Sequence, residues 1–266
     1  TSIDIRNITF ENDTNKLNLT KYTQICIFAS SYAIYKTYEY ENNVKIKDIN
    51  VMMGHSLGEY TALTCSNKIQ LRDCALILKK RGELMNEAVP PNETGMAALI
   101  GKNSDEIQNI IYKNNLNVEI ANDNSEIQIV ISGKIDDLKN SKDIFLNNDV
   151  KKFLLLNVSS AFHSNFMVNA QKELSEEIEK LSFEENKIKI ISNYDANIYD
   201  NTMSIKKNLK NQMANRVNWT KSVKKLEQIG ENKIIEIGPS KVLSGLIKRI
   251  SNNFSIISID KISDIK

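Results

Sequence analysis

The feature that most constrains this chain is the pentapeptide Gly54-His55-Ser56-Leu57-Gly58, which fits the pattern G-x-S-x-G. A short apolar strand is predicted before it, over 49–53, and a helix is predicted over 57–66. Between a strand and a helix, the pattern predicts a nucleophile elbow, a sharp turn that projects the serine oxygen at the carboxyl edge of a sheet. Ser56 is therefore the candidate nucleophile. The backbone N–H of Leu57, at the start of the helix, is the candidate oxyanion donor.

A serine nucleophile needs a base, and the chain has only two histidines, His55 and His163. His163 immediately precedes a helix predicted over 164–181, where the positive end of the helix dipole favours the neutral imidazole that a general base requires. We therefore predict that His163 is the base, while His55, inside the turn, is better explained as a structural side chain. Spacing leaves open what orients the imidazole. A backbone carbonyl could do so, and four aspartates qualify by type: Asp123, Asp136, Asp137 and Asp195.

Arg81 occupies an unexpected position on the helix predicted over 71–89. Together with Cys74, Leu78 and Met85 it follows the spacing i, i+4, i+7, i+11, so it lies within the apolar stripe. A buried guanidinium needs an anionic partner, because an unpaired buried charge is very costly. The planar fork of arginine suits a carboxylate. Spacing alone does not decide whether the partner of Arg81 is the carboxylate of a ligand or an internal Asp or Glu.

The alternation of strands and helices predicts an α/β fold with a mostly parallel sheet. Residues 92–158 interrupt that pattern with the order β-α-β-β-α-β, which is typical of a ferredoxin-like unit. We expect a larger α/β-hydrolase-like catalytic domain formed by 1–91 and 159–266, with a small ferredoxin-like domain inserted as 92–158.

Composition excludes several other classes of protein. A net charge of +2 is too close to neutral for a dedicated nucleic-acid binder. No stretch of about 18 apolar residues occurs, which excludes a membrane-spanning helix. The three cysteines (Cys26, Cys65 and Cys74) form no CxxC pair, so neither a disulfide scaffold nor a cysteine zinc site is expected.

Five segments together resemble the malonyl-CoA:acyl carrier protein transacylase family over nearly the whole chain. The elbow continues into Glu59-Tyr60, and Arg81-Gly82-Glu83-Leu84-Met85 is similar to the family's R-G-x-x-M. The other three are the stretch from Asn122 to Gly133, the segment Ser160-Ala161-Phe162-His163-Ser164, and Glu236-Ile237-Gly238-Pro239 followed by Val242-Leu243.

The resemblance implies a ping-pong acyl transfer. Ser56, deprotonated by His163, would take the malonyl group from malonyl-CoA and pass it to the phosphopantetheine thiol of acyl carrier protein. Arg81 would hold the malonyl carboxylate. The resemblance implies no metal and no cofactor beyond these substrates, no nucleic-acid or membrane partner, and a monomer.

Further roles are implied by position within the family's motifs. Phe162 would crowd the α-carbon and favour malonyl over methylmalonyl groups, and the backbone carbonyl of Asn218 would orient His163. Substrate contacts are implied for Gln24, Asn124 and His55. The family opens with a strand and a Gly-Gln-Gly-Ser loop that residues 1–20 do not contain, so we expect the larger domain to lack that N-terminal strand here.

Two alternatives use the same features. A serine esterase or thioesterase would use the same elbow, although it has no use for a buried carboxylate clamp at Arg81. A catalytically dead carrier-protein docking module would bind the carrier without forming an acyl-enzyme. A composition rich in Asn, Lys and Ile, a start at Thr1 and a bacterial-type pathway lead us to expect an apicoplast-type plastid, with the bacterial cytoplasm as the alternative.

Overall fold

The computed structural model describes residues 1–11, 14–199 and 201–265. The chain first forms helices α1 to α3, a short strand and two further helices. Their bounds are α1 (Ile5–Phe10), α2 (Thr14–Leu17), α3 (Thr20–Glu41), β1 (Val51–Met52), α4 (Leu57–Cys65) and α5 (Leu71–Glu87). Next comes an α/β unit made of β2 (Thr94–Ile100), α6 (Ser104–Lys113), β3 (Val118–Ser125), β4 (Gln128–Lys134), α7 (Ile135–Asn147) and β5 (Lys152–Leu155). The last part is α8 (Val168–Lys180), β6 (Lys189–Ile190), α9 (Thr202–Gln212), α10 (Trp219–Gln228), β7 (Lys233–Ile237), α11 (Val242–Ile250) and β8 (Ser255–Ile259).

The middle unit is a four-stranded antiparallel sheet in the order β3-β4-β2-β5. Helix α6 connects β2 to β3 and helix α7 connects β4 to β5. The unit has its own apolar cluster, which includes Leu99, Ile107, Ile131 and Phe145. Helix α6 begins with a reciprocal capping box. The Asn103 side chain accepts a hydrogen bond from the backbone N–H of Glu106, and the Glu106 carboxylate accepts one from the backbone N–H of Asn103. The connectivity and strand order are those of the predicted ferredoxin-like unit.

The larger part contains parallel strand pairs. β1 pairs with β6, and β7 pairs with β8, both in parallel. A largely apolar cavity of about 780 Å³ extends from β1 and the turn at Ser56 to β7. The predicted α/β class, with a parallel sheet in the larger part, is therefore confirmed. The predicted lack of an N-terminal strand stays a prediction.

The two parts are joined by backbone hydrogen bonds as well as by packing. The N–H of Val217 donates to the carbonyl of Ala121 (2.9 Å), and the N–H of Asp123 donates to the carbonyl of Val217 (3.0 Å). Phe162 packs against both the main cluster of the larger part and a small cluster on the inserted sheet that includes Met96 and Val130. The inserted unit is thus attached beside the elbow rather than tethered at a distance.

Helix α9 is the longest helix that the sequence pattern did not predict. Its buried positions are Ile205, Asn208, Leu209 and Gln212, which follow a helical spacing. Two of the four are amides, so a pattern of apolar residues does not reveal the stripe. The short helices α1 and α2 were also not predicted.

Candidate active site

Ser56 lies at a strained turn between β1 and α4. Its backbone has φ 51° and ψ −106°, a conformation that non-glycine residues rarely adopt. A Cβ added to Gly54 would lie 2.1 Å from the carbonyl carbon of Gly58, so this glycine is required for the turn to close. A Cβ on Gly58 would meet nothing within 4 Å. Crowding therefore explains the first glycine of the predicted elbow but not the second.

The structure places the candidate nucleophile and base in direct contact. Ser56 Oγ lies 2.8 Å from His163 Nε2. On the other side of the ring, His163 Nδ1 lies 3.0 Å from the carbonyl oxygen of Gln212 and 3.1 Å from that of Asn215. Because carbonyls only accept, Nδ1 must carry the proton, which leaves Nε2 free to accept the serine proton.

The orienting group was predicted correctly in kind but wrongly in position. It is a backbone carbonyl, but not that of Asn218, whose oxygen accepts instead from the N–H and the hydroxyl of Ser222, both at 3.0 Å. Asn218 is the residue just before α10, so its carbonyl is taken by the first turn of that helix. Asp123 bonds to Thr220, and within the described ranges no aspartate hydrogen-bonds to His163.

The pKa of His163 is lowered to about 3, first by burial and then by the nearby charge of Arg81. The imidazole therefore stays neutral, as a general base requires, but the predicted cause is wrong. His163 does not begin a long helix, because a 3-10 turn at Asn165–Met167 comes first and α8 starts only at Val168. Desolvation rather than a helix dipole keeps the ring neutral.

The inserted unit fixes the loop that carries His163. The hydroxyl of Ser132, on β4, donates to the carbonyl of Phe162 at 2.7 Å. The N–H of Ala161 donates to the hydroxyl of Thr94, at the start of β2, at 3.1 Å. These bonds hold His163 at φ 56°, a left-handed conformation that needs support from its surroundings.

Arg81 is 1% exposed and lies beside the nucleophile. Its Nη2 donates to Ser56 Oγ and to the side-chain oxygen of Gln212, both at 3.0 Å, and its Nη1 donates to the side-chain oxygen of Gln24 at 2.5 Å. Among the described residues, none of the ion pairs involves Arg81, and its Nε has no hydrogen-bond partner. This guanidinium, next to the reactive hydroxyl and with donor capacity to spare, is suited to binding a carboxylate.

The remaining predicted residues form two groups near Ser56: Gln24, which bonds to Arg81, and the pair His55 and Asn124. Gln24 lies on α3 and joins the site through Arg81, while its amide nitrogen contacts the sulfur of Met85 at 3.1 Å. His55 Nε2 lies 2.8 Å from the side-chain oxygen of Asn124, and its ring packs 5.4 Å from that of Trp219. His55 and Asn124 therefore hold each other across the two parts of the fold, which favours the structural explanation for His55.

The predicted oxyanion donor is in place. Leu57 is the first residue of α4, and its N–H has no hydrogen-bond partner within the described part of the chain. A free N–H at a helix start, next to the nucleophile, can stabilise negative charge on a carbonyl oxygen.

Sequence reasoning missed a set of buried polar residues beneath the turn. Asn193 accepts from the N–H of Ser56 at 2.5 Å and donates to the carbonyl of Gly54 at 2.7 Å. The Gln212 side chain donates to the carbonyl of Ser56 at 3.0 Å and to the carboxylate of Glu59 at 2.6 Å. Asn193 and Gln212 belong to no sequence motif that would have identified them. Only Glu59 could have been noticed, because it directly continues the elbow motif.

The described residues contain no group of three or more His, Cys, Asp or Glu side chains placed to hold a metal ion. None of their helices is both long and apolar enough to span a membrane.

Comparisons with known proteins agree on one family. Residues 1–258 match the profile of the acyl transferase domain family. The chain is 33% identical to malonyl CoA-acyl carrier protein transacylase from Bacillus subtilis, over 96% of this chain and 80% of that protein, and 32% identical to the Escherichia coli K12 protein of the same name, over 97% and 83%.

Solved structures give the same result. A malonyl transacylase in complex with its type II polyketide acyl-carrier protein superposes with a TM-score of 0.93 at 30% identity, covering 98% of this chain and 84% of that one. The malonyl CoA-acyl carrier protein transacylase from Coxiella burnetii also gives 0.93, at 31% identity over 99% and 83%.

Proposed function

Because the chain belongs to the acyl transferase domain family, we propose that it transfers a malonyl group from malonyl-CoA to the phosphopantetheine thiol of an acyl carrier protein. The relatives and the carrier-protein complex named above support this choice of donor and acceptor. The single observation that carries the chemistry is the contact of 2.8 Å between Ser56 Oγ and His163 Nε2 beside the buried Arg81.

In the first half-reaction, Ser56 Oγ attacks the thioester carbonyl and gives its proton to His163 Nε2. The carbonyl oxygen becomes negative and accepts a hydrogen bond from the N–H of Leu57. When the tetrahedral intermediate collapses, the carbon–sulfur bond breaks and the CoA sulfur leaves with the proton from His163. The product is a malonyl ester on Ser56.

The second half-reaction reverses these steps with a different thiol. His163 takes the proton of the carrier's thiol, the sulfur attacks the ester, and the proton returns to Ser56 Oγ as the ester bond breaks. The carbonyls of Gln212 and Asn215 hold the imidazole in the same tautomer throughout.

Arg81 supplies the selectivity for an acyl group that ends in a carboxylate. Its Nη2 is within hydrogen-bond distance of the atom that becomes acylated. A malonyl carboxylate lies one methylene beyond the ester carbonyl, so it falls within reach of the same guanidinium. An acetyl group has no charge to place there.

The transfer itself tests this function. Purified protein is mixed with malonyl-CoA and carrier protein bearing phosphopantetheine, and the malonyl-carrier product is followed by mass spectrometry. We expect product with the wild type and none with Ser56→Ala. Release of free malonate at the same rate with or without carrier would instead indicate the esterase alternative, and carrier binding without transfer would indicate the docking module.

A further inference from the structure

Beneath the nucleophile lies a carboxylate that takes no part in the mechanism above. Glu59 is the third residue of α4, one helical turn below Ser56, and is 0% exposed. Its carboxylate accepts from the hydroxyl of Tyr199, from the side chain of Gln212 at 2.6 Å and from the backbone N–H of Asn193 at 3.1 Å. A buried carboxylate with three donors is a fixed acceptor around which neighbouring groups must orient.

The first neighbour that it orients is the side-chain amide of Gln212. The nitrogen of that amide donates to Glu59 and to the carbonyl of Ser56, so the oxygen faces Arg81 and accepts from Nη2 at 3.0 Å. The reverse orientation would place an NH2 group against the guanidinium, donor against donor. A carboxylate at Glu59 excludes that orientation, because it accepts and cannot donate.

The second neighbour is Asn193. Its backbone N–H is fixed by Glu59, while its side chain holds the N–H of Ser56 and the carbonyl of Gly54. The strained peptide at Ser56 is therefore held on both its N–H and its C=O sides by residues that bind Glu59.

We propose that Glu59 is a positioning residue that sets the Gln212 amide, and through it the Arg81 guanidinium, in the orientation that binds the substrate carboxylate. Because it concerns the same site, this role rests on the proposed function. Glu59 touches neither substrate nor the reacting atoms, so its effect on Arg81 passes through the Gln212 amide, while its bond to Asn193 supports the turn at Ser56.

The charge of Glu59 makes this role sensitive to pH. Burial raises the pKa of Glu59 to about 7, against the opposing effects of its hydrogen bonds and of Arg81. The titratable groups that face it are Tyr60 on α4, Arg81 on α5 and Tyr199 ahead of α9. A proton on Oε1 would let Glu59 donate to the Tyr199 hydroxyl, whereas a proton on Oε2 would face the N–H groups of Gln212 and Asn193. In both cases the negative charge that strengthens the bond to Gln212 is lost, so the amide is held less firmly.

The test compares kcat/KM for malonyl-CoA with that for acetyl-CoA, because only the malonyl group has a carboxylate for Arg81 to bind. In the wild type, the malonyl-to-acetyl ratio should fall as the pH is lowered from about 8 to about 6. Glu59→Gln should lower the ratio at pH 8 by about tenfold, the scale of one charge-assisted hydrogen bond, and should remove most of its pH dependence. Restoring the carboxylate type with Glu59→Asp should recover part of the ratio.

Asp123→Asn is the matched control. Asp123 is another buried carboxylate whose pKa is raised by burial, but it bonds to Thr220 and not to the residues around Ser56. The substitution Asp123→Asn should leave the malonyl-to-acetyl ratio and its pH dependence unchanged. In a Gln212→Ala background, Glu59→Gln should have little further effect on the ratio, because the residue through which it acts is gone.

Four results would overturn this role of Glu59. They are a malonyl-to-acetyl ratio that does not change with pH in the wild type, a Glu59→Gln variant with the wild-type ratio, an equal loss of the ratio in Asp123→Asn, and additive effects of Glu59→Gln and Gln212→Ala on the ratio. The wild-type profile needs no variant, so poor folding of Glu59→Gln does not leave the question open. A wild type that transfers no malonyl group contradicts the proposed function. A wild type that transfers normally, with a ratio insensitive to Glu59 and to pH, contradicts only this role.

Discussion

Replacing Arg81 with methionine separates carboxylate binding from support of the fold. The guanidinium is almost fully buried and makes three hydrogen bonds, to Gln24, Ser56 and Gln212. Methionine retains an unbranched apolar side chain in the stripe of α5 and removes the charge. Burying apolar volume in place of a charge is often tolerated, so we expect the variant to fold.

The expected loss depends on the acyl group. Removing one partner of a buried, hydrogen-bonded charge pair costs about 2–5 kcal/mol, which corresponds to roughly 30- to 5,000-fold in kcat/KM for malonyl-CoA. An acetyl group never contacts the guanidinium charge. Its transfer should lose only the contribution of the Nη2 bond to Ser56 Oγ, about tenfold or less.

The assay measures kcat/KM for both CoA esters in wild type and Arg81→Met, with thermal unfolding recorded on the same samples. The malonyl-to-acetyl ratio should fall by about two orders of magnitude. Equal losses for both esters, with a matching drop in unfolding temperature, would contradict carboxylate binding by Arg81 and make it a structural residue. The position of Arg81 in an apolar stripe also allowed this structural interpretation.

Three further predictions concern the turn, the base and the acyl pocket. Gly54→Ala should lose on the order of 2 kcal/mol of unfolding free energy, because its Cβ meets backbone. Gly58→Ala should change the unfolding free energy by less than about 1 kcal/mol. Equal effects of the two substitutions in a denaturant titration would contradict this. Because the pKa of His163 is lowered to about 3, the base form persists as pH falls, so the rate of Ser56 acetylation by acetyl-CoA in stopped flow should show no histidine titration between about pH 5 and 8. An acid limb near pH 6.5 would oppose it. Phe162→Ser should raise methylmalonyl relative to malonyl transfer by roughly tenfold, and an unchanged ratio would show that Phe162 does not crowd the α-carbon.

The parts of the site that could be predicted from the sequence are those with local signatures. The elbow at Ser56 is a contiguous motif between a strand and a helix, and Arg81 stands out as a charge within an apolar helical stripe. With only two histidines to choose from, the base was a choice between His55 and His163. The β-α-β-β-α-β order of the inserted unit was visible because each element has a clear period of apolar residues.

The parts that could not be predicted depend on contacts between distant segments. Gln212 lies 156 positions from Ser56 along the chain, on a helix whose buried face is half amide and therefore lacks an apolar pattern. The acceptors for His163 are backbone carbonyls, which any residue type can supply, so no sequence signal distinguishes Gln212 and Asn215 from Asn218. The low pKa of His163 comes from burial, which local sequence does not report.

The most direct test of the central claim is the intact mass of the protein after brief exposure to malonyl-CoA alone. We expect a single malonyl adduct on Ser56, located by peptide mapping, which disappears when carrier thiol is added and does not form in Ser56→Ala. His163→Ala should slow its formation by at least about 10²-fold. A protein that processes malonyl-CoA without ever carrying an adduct on Ser56, or that forms one as fast without His163, would contradict nucleophilic catalysis by Ser56 with His163 as its base.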